Sequence, residues 1–106
     1  MKTEEGRLKD QVKRYLRQLN AYYHMPVPSG YGRQTVDFLC CIPQYHNGGR
    51  IGRFLAIETK APGKKPTPRQ EQCLREVQEA GGVAFYCDTY EGFLLTMAAQ
   101  GLTPAK

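Results

Sequence analysis

The sequence predicts a single α/β domain in which helices flank one mixed β-sheet, and three observations lead to this fold class. The chain has 106 residues, of which 41% are hydrophobic and 24% charged, a composition typical of one globular domain with one core. An Asn-Gly-Gly sequence at 47–49 separates two apolar runs and indicates an antiparallel hairpin. A predicted helix then separates this hairpin from another short apolar strand, as in a crossover that joins parallel strands.

The order of the elements follows from apolar spacing and from turn and cap residues. Leu8, Val12 and Leu16 lie at helical spacing, and Thr3 precedes them as a candidate N-cap. The turn at 47–49 sets the strands on either side of it antiparallel. The predicted order is a helix at 4–19, a short strand at 22–25, strands at 35–42 and 51–60, a helix at 68–80, a strand at 83–87 and a helix ending near 99.

Cap signals mark the beginnings of the last two helices. Thr67 stands directly before Pro68 and three residues before Gln70, which is the spacing of a capping box with proline in the first turn. Asp88 and Glu91 repeat the capping-box spacing before the final helix. The tail that follows this helix, GLTPAK, is predicted to fray, because chain ends without a docking element are poorly held.

Basic residues concentrate just after the predicted hairpin. The formal net charge of the chain is +5. A basic stripe indicates a polyanionic partner, most simply nucleic acid, although a solubilising face explains the charge alone equally well. Between residues 60 and 75 one acid, Glu71, accompanies five basic residues, Lys60, Lys64, Lys65, Arg69 and Arg75.

The composition disfavours several classes of protein. No apolar run approaches the ~18–20 residues of a membrane span, and the N-terminus lacks the apolar segment of a signal peptide. We therefore expect a cytoplasmic protein with no membrane partner. The four cysteines have no Cys-x-x-Cys spacing, so we interpret them as small buried hydrophobic residues rather than as disulfides or zinc ligands. They are Cys40, Cys41, Cys73 and Cys87.

Two carboxylates are predicted to meet at the open end of the hairpin. Glu58 and Lys60 are two residues apart near the end of a strand, so their side chains point to the same face. Counting from the turn at 47–49 places Asp37, near the start of the other strand, almost directly opposite Glu58. Neighbouring strands lie ~5 Å apart, so the two carboxylates are close enough to share one ion.

Facing carboxylates of this kind repel each other unless a cation lies between them. Lys60 offsets part of the charge, and a divalent cation offsets more; hard oxygen ligands favour Mg²⁺ or Mn²⁺. Such a metal holds and polarises a phosphodiester, while a neighbouring ammonium group orients or helps to deprotonate the attacking water. The alternative is a surface Glu–Lys pair, which is common and contributes little energy.

The first helix also carries an acid whose position needs a reason. Glu5 extends the inward stripe of Leu8 and Val12 by one turn, whereas Glu4 lies on the flank of that stripe. Carboxylates are rarely buried without a partner or a function. Capping by Thr3 and a favourable interaction with the helix dipole also explain acids in a first turn, so both interpretations stay open.

The segments VDFL and FLAIETKAPGKKPTPRQ together resemble the PD-(D/E)XK nuclease pattern, in which an Asp and a hairpin precede a Glu-x-Lys at a strand end. More narrowly, ETKAPGKKPTPRQ and AGGVAFYCDT resemble the VRR-NUC (virus-type replication–repair nuclease) family. The upstream SGYGRQTVDFL is similar to the same family's approach to its Asp, with Val36 where a Pro often stands. The resemblance covers roughly residues 5–88.

The resemblance implies a fold and a set of site residues. Residues 1–106 would form one VRR-NUC-like domain with a restriction-endonuclease-like core of order αβββαβα over about residues 4–99. Asp37 and Glu58 would be metal ligands, and the backbone carbonyl of Thr59 a third. Lys60 would position the attacking water.

Further residues take roles by the same resemblance. Glu5 matches the helix-borne acid that completes the metal site in many such nucleases, with Glu4 as a less favoured substitute. Gln70 matches the family's catalytic glutamine, although its capping box explains it as well. The residues expected to grip the DNA backbone are Arg33, Lys64, Lys65 and Arg69.

The implied function is a Mg²⁺- or Mn²⁺-dependent DNA endonuclease that leaves a 5′-phosphate and a 3′-hydroxyl. Small relatives of this family resemble nucleases of Holliday (four-way) junctions, with flaps as a further branched substrate. A homodimer would supply the two symmetric incisions that a junction needs. The interface of this homodimer is expected either on the Tyr-rich segment AYYHMPVPSGYGRQ or on the final helix, which carries Phe93, Leu94, Leu95 and Met97. The expected compartment is the cytoplasm of a bacterium or of a phage-infected host.

Two other functions stay open. The chain could be a non-catalytic nucleic-acid-binding module that keeps the nuclease fold and its basic face. It could also be a small redox or regulatory α/β domain that uses its cysteines, although no Cys-x-x-Cys supports this.

Overall fold

The computed structural model describes residues 2–27 and 36–104. Over these residues the element order is αβββαβα, as the sequence predicted. The elements are α1 (Glu4–Gln18), β1 (Tyr22–His24), β2 (Phe38–His46), β3 (Gly49–Thr59), α2 (Pro68–Glu79), β4 (Val83–Cys87) and α3 (Tyr90–Ala99). None of the described helices is long and apolar enough to cross a membrane.

The four strands form one mixed sheet in the order β1-β2-β3-β4. The β1–β2 and β2–β3 pairs are antiparallel, whereas β3 and β4 are parallel and joined by α2. Asn47 and Gly48 form the hairpin turn with positive φ angles of 51° and 78°, which match the right-handed twist of the strands they connect. The predicted hairpin and the helical crossover are therefore both confirmed.

The β2 strand continues past its predicted end at residue 42. It includes Pro43, whose missing N–H would break the ladder in a central strand. However, β1 pairs with β2 only at Leu39–Cys41, so within residues 2–27 and 36–104 no strand pairs with β2 at Pro43 on that side and needs the missing donor. Because a proline can be accommodated at such a position, both hairpin strands extend to the turn.

Two apolar layers cover the sheet, one on each face. On one face, α1 and α3 pack through Leu16 and Phe93 against Phe38, Leu55 and Ile57. On the other face, α2 packs over a smaller cluster of Val36, Ala56, Leu74 and Ala84. The separation follows from the alternation of strand side chains between the two faces.

Several local expectations were wrong. The N-cap of α3 is Thr89, not Asp88: the Thr89 hydroxyl accepts a hydrogen bond from Gly92 N–H, so Glu91 is too early to complete a capping box. Asp88 instead accepts a hydrogen bond of 2.9 Å from the N–H of Gly63, which holds the loop after β3.

The segment after α3 is also better held at residue 102 than predicted. Leu102 is buried, and its carbonyl accepts a 2.8 Å hydrogen bond from the Tyr15 hydroxyl of α1. In addition, Cys41 is exposed rather than buried, whereas Cys40 and Cys87 are buried free thiols. Burial raises the pKa of each buried thiol to about 12, so neither is a thiolate at neutral pH.

Candidate active site

Asp37 and Glu58 face each other at the open end of the β2–β3 hairpin. Phe38 is paired with Ile57, so the same register places Asp37 opposite Glu58 one step farther along. The backbone N–H of Asp37 donates a 3.1 Å hydrogen bond to Glu58 Oε1. Thr59 donates twice to Asp37 Oδ2, from its backbone N–H at 2.9 Å and from its hydroxyl at 2.6 Å. The two carboxylates are therefore fixed relative to each other by the backbone.

The two carboxyl groups have opposite pKa shifts. Glu58 is only 1% exposed, and burial together with the neighbouring Asp37 raises its pKa to about 7. Asp37 is partly exposed. Burial alone would raise its pKa as well, but hydrogen bonds with Glu58 and Thr59 and the charge of Lys9 outweigh that effect and lower it. Near neutral pH the pair therefore carries one firmly held charge and one that is easily lost.

Two lysines, from different elements, neutralise these carboxylates. Lys60 Nζ lies 3.4 Å from Glu58 Oε2, and the Lys60 backbone N–H donates to the Cys87 carbonyl of β4. Lys9 of α1 approaches from the other side, with its Nζ 3.8 Å from Asp37 Oδ2 and 2.8 Å from Glu5 Oε2. The structure therefore brings together the predicted Asp37, Glu58 and Lys60 and adds Lys9.

Lys9 was not among the site residues predicted from the sequence. The sequence did contain an indication of an ion pair with Glu5, because Lys9 follows Glu5 by four residues and borders the inward stripe of α1. Whether that face of α1 meets the open end of the hairpin depends on how the helix docks on the sheet, which periodicity does not reveal.

Glu5 lies at the edge of the site rather than beside the two carboxylates. Its side chain accepts a hydrogen bond from Lys9, and Lys9 lies between it and Asp37. Across residues 2–27 and 36–104, no three His, Cys, Asp or Glu side chains are grouped closely enough to hold a metal ion together. Glu4, the alternative acid, is exposed. The role of Glu5 as a metal ligand thus stays a prediction.

The other predicted residues lie around the loop that leaves the site. The Gln70 side chain accepts a 2.9 Å hydrogen bond from Thr67 N–H, and Gln70 N–H donates to the Thr67 hydroxyl, so the predicted capping box is present. Arg33 lies outside the described residues. The remaining predicted DNA contacts, Lys64, Lys65 and Arg69, are exposed on the loop and at the start of α2.

Tyr86 is a further residue that the sequence analysis missed. It is the register partner of Glu58 in the parallel β3–β4 pair, so the two side chains lie side by side on the α2 face of the sheet. The Tyr86 side chain is 41% exposed. Alternation along β4 could have placed it, since Ala84 of the same strand packs under α2. An exposed ring here is suited to stack against a base or sugar.

The donor set at the hairpin end fits a divalent cation. Both carboxylates offer hard oxygen atoms, and one oxygen of each is directed by the hydrogen bonds described above. Burial first, and the adjacent Asp37 second, raise the pKa of Glu58 and so disfavour its charged form; a divalent cation would favour that charged form. The Thr59 backbone borders the pair, because its N–H donates to Asp37 Oδ2, and the role of the Thr59 carbonyl as a third ligand stays a prediction.

The chain has the fold of a solved structure described as a VRR_NUC domain. The two superimpose with a TM-score of 0.72 over 92% of this chain and 97% of the other, at 19% sequence identity. No family model and no curated protein matches the sequence. The likeness confirms the predicted fold, a mixed four-stranded sheet flanked by helices in a VRR-NUC arrangement. At this level of identity it is a statement about fold.

Proposed function

We propose that the chain is a DNA endonuclease that requires Mg²⁺ or Mn²⁺. One observation carries the proposal: Asp37, Glu58 and Lys60 converge at the open end of a hairpin in a VRR-NUC fold. The residues are of the types that metal-assisted phosphodiester hydrolysis needs, and the carboxylate pair is held by backbone hydrogen bonds rather than by mobile surface contacts.

Each residue has a distinct task in this proposal. Asp37, Glu58 and the Thr59 carbonyl would hold the cation, which when bound would polarise the phosphodiester and stabilise the charge that develops on it. Lys60 stands beside the cation site and positions the attacking water. The products are a 5′-phosphate and a 3′-hydroxyl. Glu5 supports the site from α1, and Gln70 fixes the start of α2.

The DNA would be held through its backbone. Lys64, Lys65 and Arg69 extend from the site along an exposed loop, and Arg33 is proposed to join them. Tyr86 would contact a base or sugar next to the scissile phosphate. Because phosphate contacts carry no sequence information, we expect little base-specific readout and strong salt dependence.

The proposed substrate is a branched DNA, in particular a four-way junction, cut by a homodimer in the cytoplasm of a bacterium or of a phage-infected host. Each chain has one site and makes one incision, whereas a junction needs two symmetric ones. The final helix is a poor interface, because Phe93 and Met97 are completely buried. The better surface is the hairpin face, which we define as the exposed side chains of Tyr22, Cys41, Tyr45 and Phe54.

The test uses end-labelled junction, flap, nicked, linear and single-stranded DNA with Mg²⁺, Mn²⁺ or chelator. We expect wild-type protein to cut branched DNA only with metal, and Asp37→Asn and Glu58→Gln each to lower the rate by at least ~100-fold. Glu79→Gln, at an exposed acid at the end of α2, is the matched control and should cut normally.

Three results would count against the proposal. Folded wild-type protein that leaves every substrate intact in Mn²⁺ contradicts the endonuclease activity. Cutting that persists in Asp37→Asn or Glu58→Gln protein contradicts the site. DNA binding that survives chelator and both substitutions, with no cleavage by wild-type protein, favours the non-catalytic binding module instead.

A further inference from the structure

Lys9 connects two carboxylates that belong to different elements. Its Nζ is 2.8 Å from Glu5 Oε2, one turn earlier on α1, and 3.8 Å from Asp37 Oδ2, at the start of β2. An ordinary i, i+4 ion pair on a helix surface involves only the helix. Here the ammonium group extends over the site and is partly buried against it, so it contributes to the charge that a cation meets there.

The charges of the site favour a single divalent cation. Three carboxylates, Asp37, Glu58 and Glu5, meet two ammonium groups, Lys9 and Lys60, which leaves a net charge of −1 when all five are ionised. One divalent cation reverses that charge to +1, which suits a phosphodiester. A second would leave a strongly positive cluster and would need Glu5, whose charge Lys9 already neutralises.

We propose that Lys9 is a positioning residue that neutralises Glu5 and one side of Asp37, and thereby confines the site to one divalent cation that Glu5 does not ligate. This inference rests on the metal site of the proposed function and deepens it. It also reassigns Glu5: the acid orients Lys9, and Lys9 in turn stands where a second cation would otherwise be attracted.

The test counts Mn²⁺ bound to DNA-free protein, using the electron paramagnetic resonance signal of unbound Mn²⁺. We expect wild-type protein to bind one Mn²⁺ per chain. Asp37→Asn should weaken that binding by at least ~10-fold, whereas Glu5→Gln should change it less than ~3-fold. In Lys9→Met protein Glu5 becomes available to a cation, so adding Glu5→Gln to this variant should cost at least ~10-fold in affinity.

Two controls separate this role from a structural one. Lys9→Arg keeps the positive charge and should behave as wild type. Lys13→Met removes a lysine of the same helix that pairs with Asp10 and should also leave Mn²⁺ binding unchanged. Thermal unfolding of every variant by circular dichroism identifies any loss of fold, and in that event Lys9→Gln replaces Lys9→Met.

The outcomes are distinguishable. The inference is overturned if a wild-type chain binds two Mn²⁺ ions. It is also overturned if Glu5→Gln greatly lowers the Mn²⁺ affinity while Lys9 is present, or leaves that affinity unchanged after Lys9 is removed. Wild-type protein that binds one Mn²⁺ with the expected variant pattern but cuts no DNA refutes the proposed function and supports the role of Lys9. Protein that binds no Mn²⁺ at all refutes both.

Discussion

Glu58 is a buried carboxyl group whose ionisation opposes folding. Its pKa rises to about 7 in the folded chain, from 4.5 for an unperturbed glutamate, because it is buried and adjoins Asp37. Between these pH values the folded chain keeps a proton that the unfolded chain has lost. Stability therefore falls as the pH rises through this window and levels off above it. Such a cost is typical of a residue retained for a charge-dependent function.

Glu58→Gln should remove this pH dependence. In the presence of chelator, we expect the free energy of unfolding of wild-type protein to fall by about 2 kcal/mol between pH 5 and pH 8, and that of the variant to fall much less. The pKa of Asp37 is lowered, so Asp37 has the opposite effect on stability. Its stabilising contribution is lost as the pH falls, at pH values below this window.

Urea denaturation at the two pH values measures the effect. Added Mg²⁺ should restore stability to wild-type protein at pH 8 and not to Glu58→Gln, because a bound cation favours the charged carboxylate. Equal pH dependence in the two proteins would contradict the assigned role of Glu58 burial.

At the level of elements, the signals that predicted the structure correctly are local ones. The Asn-Gly turn fixes the register of β2 against β3, and that register alone brings Asp37 opposite Glu58. The features that were missed depend on contacts between distant segments. Leu102 is held by Tyr15, 87 positions away in the chain, and no pattern near the C-terminus indicates it.

The N-cap of α3 was predicted wrongly because two adjacent residues compete for that position. Asp88 and Thr89 are both good N-cap residues, and the structure uses Thr89 because Asp88 is bonded to the loop at Gly63. Lys9 likewise reaches the site only because α1 docks with its N-terminal end near the hairpin end. The facing pair of Asp37 and Glu58 was thus predictable from one turn, whereas its surroundings required the tertiary arrangement.

The capping box of α2 gives a test of Gln70 at this scale. Thr67 and Gln70 exchange two hydrogen bonds, so the Gln70 side chain is engaged in capping α2. We expect Thr67→Ala and Gln70→Ala each to destabilise the protein by about 1 kcal/mol and to lower kcat/KM for DNA cleavage to a similar, small extent.

Thermal unfolding and cleavage rates measured on the same preparations decide the point. A direct catalytic role would appear as a much larger fall in kcat for Gln70→Ala than for Thr67→Ala at equal stability. That outcome would restore the role implied by the family resemblance.

At the scale of the whole molecule, the α2 face of the sheet is polar at one end and apolar at the other. The site and Tyr86 occupy one end, and α2 covers the middle through Ala56 and Ala84. Beyond α2, no helix or strand of the described residues covers the same face: the β1–β2–β3 register aligns Tyr22, Cys41 and Phe54 in one row, with Tyr45 farther out. The hairpin face therefore presents apolar groups well away from the cation site. A partner there would leave the proposed DNA-binding side free.

A second copy on the hairpin face would place two sites on one assembly, and substitution there should separate assembly from chemistry. Phe54 is 46% exposed, and Phe54→Glu introduces a charge into the proposed interface. We expect this variant to be a monomer by light scattering. With a cruciform plasmid it should produce nicked circles, whereas wild-type protein should produce linear DNA by paired incisions. Leu95→Glu on α3, where the leucine is 73% exposed, should leave the dimer intact.

Phe54 also packs close to Gly82, so Phe54→Glu could perturb the sheet itself. Tyr45→Glu provides an independent substitution, because Tyr45 is 81% exposed near the tip of the hairpin. If both hairpin variants remain dimers while Leu95→Glu dissociates, the interface lies on α3 instead. If wild-type protein is a monomer that still cuts both strands of the cruciform together, paired incision does not depend on two-fold symmetry, and the argument for a dimer fails with it.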